Sequence, residues 1–158
     1  MSETQTSFTA RDPDFEQRVR DSFSRQRVMA FLGASLGEVE PGRATISLPY
    51  RPELSQQHGF FHGGIVGTIA DSAAGYAGYT LMPADASVLT VEYKLNLMAP
   101  AAGKLLTAVG RVLRPGRNLV VTQADVFVAK EGGQRQCAVL LQTLMCMHQQ
   151  PDTAADAA

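Results

Sequence analysis

The sequence predicts an α+β domain: one long buried helix wrapped by a single antiparallel sheet of five to six strands. Three observations carry that prediction. Residues 63–82 are apolar or small nearly all round, the mark of a helix enclosed by other structure. After Pro83 the chain runs in strand-like segments, several alternating at period two and separated by Pro-Gly and Gly-Gly turns. With 158 residues the chain suits one domain and can bury a real core.

Each element follows from a local signal. Residues 1–12 and 150–158 are expected to be loose ends, which leaves residues 13–149 as the single domain. Asp12 and Pro13 suit an N-cap and first helical position. Phe15, Val19 and Phe23 then repeat at four-residue spacing, so residues 13–31 read as an amphipathic helix. Ser35–Glu40 and Arg43–Tyr50 flank Pro41-Gly42 as a hairpin, and residues 51–61 read as loop. The central helix should run from about Gly63 to Met82. Gly67, Ala70, Ala73, Ala74, Gly75 and Gly78 keep it thin enough for strands to approach its backbone. In Ser87–Met98 the odd positions Leu89, Val91, Tyr93, Leu95 and Leu97 are apolar, while Thr90, Glu92, Lys94 and Asn96 face the other way. Lys104–Arg114, Asn118–Lys130 and Gln136–His148 complete the expected strands.

Composition narrows the function classes. Apolar residues make up 45% and charged residues 18%, and the net charge is −1. With no Trp and no basic tract carrying aromatics, nucleic-acid binding and membrane-surface binding are not expected. Cys137 and Cys146 stand nine apart, on opposite faces of one regular strand, and should be unpaired thiols of a reducing compartment. The N-terminus lacks the apolar core of a secretory leader. Asp71 interrupts the apolar run Ile65–Met82, which argues against a membrane span. A cytoplasmic location is expected.

Asp71 is also the most informative residue. It is the one Asp, Glu, Lys or Arg between Leu54 and Ala84. A lone carboxylate in apolar surroundings costs several kcal/mol unless something pairs with it. Nine residues upstream stands His62, followed by Gly63 and Gly64 where the helix should begin. A helix start rich in free N–H groups, with an isolated acid in the same helix, points to chemistry on a carbonyl. His58 and His62 have the i, i+4 spacing of a metal pair. With no acid between them and no Cys-x-x-Cys, no metal site is expected.

The stretch Gln56-Gln57-His58-Gly59-Phe60-Phe61-His62-Gly63-Gly64, with Asp71 beyond it, resembles the hotdog-fold acyl-coenzyme A thioesterases of the phenylacetate-pathway (PaaI) type. Leu89–Ala101 and Gly110–Arg117 extend the resemblance, which covers roughly residues 25–148. It implies hydrolysis of coenzyme A thioesters without a cofactor, coenzyme A being part of the substrate. It also implies a homodimer with sheets joined edge to edge, often paired again into a dimer of dimers. Asp71 matches the family's catalytic acid, Gly63 the backbone N–H that binds the thioester carbonyl, and His62 the motif histidine. Thr90 falls where relatives carry a Ser or Thr near the reacting water. Relatives usually have Asn six residues before the motif histidine; here that position is Gln56, or Gln57 if the loop shifts. Arg114, Arg117 and Asn118 lie near where the family binds the coenzyme A phosphates. Leu54, Phe60, Phe61 and Tyr76 are the candidates to line the acyl pocket.

Gly63 and Gly64 would supply N–H donors to the developing oxyanion, with no Cβ to obstruct the substrate. Asp71 would activate water or attack directly to give an anhydride, and the residues leave both routes open. Eight residues along one helix put Gly63 and Asp71 about 12 Å apart. Both must reach the same thioester, so one straight helix is not enough; two antiparallel helices across a two-fold axis are. Two rival readings use the same residues: a hotdog module that binds acyl-coenzyme A without turning it over, and a dehydratase.

Overall fold

The computed structural model describes residues 7–153. Its order is α1 (Phe15–Arg25), α2 (Arg27–Leu32), β1 (Ser35–Glu40), β2 (Arg43–Pro49), α3 (Gly63–Tyr79), β3 (Ser87–Leu97), β4 (Leu105–Pro115), β5 (Leu119–Lys130) and β6 (Gly133–Met147). A single 3-10 turn, Pro52–Leu54, sits in the loop before α3. The strands form one antiparallel sheet in the order β1-β2-β4-β5-β6-β3, wrapped around α3. This is the hotdog arrangement.

Close approach between α3 and the sheet depends on glycine from both sides. A Cβ on Gly110 of β4 would lie 2.1 Å from the Ala73 carbonyl oxygen, and one on Gly78 would lie 2.3 Å from Leu144 Cδ1. At Gly110 strand and helix backbones therefore touch where an alanine could not fit, whereas at Gly78 the helix backbone meets the Leu144 side chain. The core lies between them, with Ile46, Leu48, Ile69, Leu106, Leu140 and Leu144 fully buried.

The N-terminal segment differs from the expected single helix over 13–31. The chain breaks at Gln26, whose backbone is extended (φ −73°, ψ 97°), and splits the helix into α1 and α2. The helix also starts two residues later than expected: Asp14, not Asp12, is the N-cap, and Asp12 Oδ1 accepts from the Asp14 N–H at 3.0 Å in the turn before it. Asp12 is also 94% buried and pairs with Arg18, Nε to Oδ2 2.9 Å. Arg18 in turn donates to the carbonyls of Tyr79, Met82 and Pro83 and stacks on the Tyr79 ring. A cation thus meets the carbonyls of the turn that follows α3, at the negative end of the helix dipole. Phe8 packs over Gly42, and Asp152 pairs with Arg25 at 3.0 Å, so chain on both flanks of residues 13–149 lies against the fold.

β3 departs from simple alternation. Pairing with β6 shifts register between Thr90 and Glu92, which leaves Val91 as an unpaired bulge residue. Thr90 opposes Leu144, Tyr93 opposes Gln142 and Leu95 opposes Leu140, all three partners buried. Thr90, Tyr93, Leu95 and Leu97 therefore share the face toward α3, whereas Leu89 opposes Met145 on the outer face. The expected split of odd from even positions fails at this bulge. As an edge strand, β3 leaves Val91, Tyr93 and Leu97 about half exposed. Cys137 and Cys146 are buried free thiols, and Cys137 stands at a second bulge, between β5 and β6. Among the described residues no helix is long and apolar enough to cross a membrane.

Candidate active site

The start of α3 is built by its own residues. His62 is the N-cap in extended conformation, and its Nδ1 accepts from the Gly64 N–H at 3.0 Å. An accepting Nδ1 places the ring proton of the neutral imidazole on Nε2. His62 O accepts from Ile65 and Val66. Among the described residues no acceptor meets the Gly63 N–H, so one donor, not two, is left free at this end. Leu97 lies over Gly63, where a Cβ would come within 2.8 Å of its Cδ1.

Two turns along, Asp71 is half-buried on the side of α3 that faces β3. Its Oδ1 accepts from Thr90 Oγ1 at 2.8 Å and from Gln142 Nε2. The bulge at Val91 sets this up, since it puts Thr90 on the helix-facing side of the strand. The isolated acid is thus compensated by two neutral donors rather than by an ion pair.

A cleft of about 300 Å³ opens beside Asp71, between α1, α3 and the start of β3. Thr90 and Tyr76 line it, together with Ser22, Gln26 and Ser72. Ser22 and Tyr76 share a hydroxyl bond at 3.2 Å, and Ser72 Oγ donates to Gln26 Oε1 at 3.4 Å. Burial pushes the Tyr76 phenol up to about 12, with the Ser22 hydrogen bond acting in the opposite sense.

The other predicted residues lie elsewhere. Leu54 and Phe61 are core residues, Phe61 edge-on to Tyr50 at 5.2 Å, and neither lines the cleft; nor does half-buried Phe60. Gln56 turns its side-chain oxygen onto the His58 N–H inside its own loop, while Gln57 is exposed beside the His58 ring. Arg114, Arg117 and Asn118 are exposed around the β4–β5 turn. The Arg117 carbonyl accepts from His148 and the Asn118 carbonyl from Cys146. Sequence reasoning missed Gln142. Its signal was parity: it is the polar residue between Leu140 and Leu144 on the inward face of β6.

Residues 58–134 match the model of the thioesterase superfamily. A thioesterase family protein from Silicibacter pomeroyi is 46% identical, over 85% of this chain and 98% of its own, with a TM-score of 0.84. The 1,4-dihydroxy-2-naphthoyl-CoA hydrolase of Listeria monocytogenes is 25% identical over 60% of this chain and 77% of its own length. The E. coli PaaI protein from the phenylacetic acid degradation operon has the same fold, with a TM-score of 0.77, 18% identity, and coverage of 88% of this chain and 97% of its own. The chain belongs to the thioesterase superfamily and is a hydrolase of the hotdog class.

Proposed function

We propose that this protein hydrolyses an acyl-coenzyme A thioester to the free acid and coenzyme A. Asp71 acts on the thioester carbon, as general base for water or as nucleophile. The Gly63 N–H of a second copy stabilises the oxyanion. The observation that carries this reading is the pairing of a free N–H at a glycine helix start with a carboxylate bound through one oxygen, both facing exposed β3. A hydrogen-bond donor aimed at the developing charge is the largest contribution such a site can make. Thr90 would hold the acid or the water, and His62 would fix the helix start through the bond that its Nδ1 accepts.

The reading calls on no group beyond the coenzyme A of the substrate. Arg114, Arg117 and Asn118 are the candidates for its phosphates, as exposed cations and an amide at one turn. The acyl group would enter the cleft beside Tyr76, whose 300 Å³ suits a compact chain or ring. A protein that only binds the ester gains nothing from a carboxylate oxygen left without a donor. The test is release of free thiol from acetyl, medium-chain, long-chain and aromatic coenzyme A esters. Asp71→Asn should lower kcat by about 10²–10⁴-fold on the preferred ester. Undiminished hydrolysis by that variant would leave the acid without its role.

A further inference from the structure

We propose that Gln142 is the positioning residue of the Asp71 carboxylate, fixing from beneath which of its two oxygens is left to act. The proposal rests on the reading of Asp71 as the reacting acid. Gln142 is fully buried at the centre of β6, opposite Thr122 on β5 and Tyr93 on β3. Leu140 and Leu144 flank it on the same face, both fully buried, so an apolar side chain would suit the sheet. A buried amide there is costly unless its groups are bonded.

Its bonds account for it. An ionised carboxylate only accepts, so the amide must turn its nitrogen toward Asp71 and its oxygen away. Nε2 donates to Asp71 Oδ1 and, at 2.9 Å, to Thr90 Oγ1. Oε1 accepts from Thr122 Oγ1 at 3.3 Å. With its oxygen accepting from Gln142, the Thr90 hydroxyl gives its own proton to Oδ1 at 2.8 Å. Two donors thus converge on one oxygen and are themselves cross-linked. Among the described residues no donor reaches Oδ2. The carboxylate is held in one rotation, with the free oxygen defined by its neighbours. Such preorganisation acts on the chemical step rather than on binding.

Kinetics of variants in two backgrounds test this. Gln142→Leu should lower kcat by up to about 100-fold while KM stays within about twofold. In the Asp71→Asn background the same change should cost less than about twofold, because there is no longer a carboxylate to hold. Thr122→Val keeps the amide but removes its anchor, and should lower kcat by a smaller factor in the same pattern. It carries the test if Gln142→Leu fails to fold. Wild-type kcat in both variants, or equal losses with and without the Asp71 carboxylate, would overturn the role and leave Gln142 a packing residue. Full activity of Asp71→Asn alone would instead remove the acid reading itself.

Discussion

Tyr76 shows how one side chain joins the fold to the cleft. Its ring meets Phe23 edge-on at 6.0 Å, and its hydroxyl reaches Ser22. Burial favours the neutral phenol, and the folded-state value rises from 10.0 to about 12. A raised value means that the unfolded chain loses its proton first. The stabilisation is therefore complete below pH 10 and is lost as the pH climbs through 12. Burial raises Tyr79 in the same direction. Thermal melts should show the midpoint falling across that window, and falling less steeply in Tyr76→Phe. Equal slopes would contradict the assignment. Residue-scale chemistry was partly legible: the isolation of Asp71 in a 31-residue stretch marked it without coordinates. The partners that hold it were not legible, because Gln142 lies 71 positions away and a single polar residue on an apolar face has many possible causes.

At the scale of elements, the glycines where α3 meets the sheet and those within it are of two kinds. Gly110 of β4 meets the helix backbone itself, so Gly110→Ala must push strand from helix, with an expected loss of about 3 kcal/mol in chemical denaturation. Gly75 has nothing within 4 Å of its would-be Cβ and sits in mid-helix, so Gly75→Ala should gain about 0.5–1 kcal/mol. Opposite signs for two similar substitutions form one prediction, and like signs would refute it. The same elements show what pattern reading captures. β1 and β2 lie where their turn signal put them, and α3 lies where its all-round apolarity put it, ending one turn early. The break at Gln26 and the bulge at Val91 were invisible. Neither carries Gly or Pro, and both are imposed by what the chain packs against.

At the scale of the whole molecule, a single copy leaves the proposed chemistry divided. The free Gly63 N–H and the Asp71 carboxylate lie about two turns apart on one helix, and the β3 edge beside them exposes Val91, Tyr93, Leu97 and Met98. Mixing two impaired variants tests whether a second copy completes the site. Gly63→Pro deletes the one N–H: proline suits the first helical position, His62 at ψ 139° already has the backbone that precedes a proline, and the added Cβ meets Leu97 Cδ1, the far end of a side chain that can turn aside. Gly63→Pro and Asp71→Asn should each retain only a small residual rate of thiol release alone. Unfolded and refolded together, they should recover activity, since one of the two sites in each mixed pair has both groups intact. A mixture as inactive as its parents would confine the site to one chain. This division was readable from spacing and helix rise alone, whereas the location of the cleft was not, because it depends on where α1 comes to rest.

The bulge in β3 has a bearing on length variation. With Val91 out of the ladder, Thr90 and Glu92 already stand as successive rungs, one facing α3 and the next facing away. Excising Val91 would therefore close the rungs without inverting either half of the ribbon, and Thr90, Tyr93 and Leu95 would keep their sides. Forcing Val91 into the ladder would do the reverse, swinging Glu92 and Lys94 in toward the helix. At this point the strand tolerates losing a residue better than regularising the one it has.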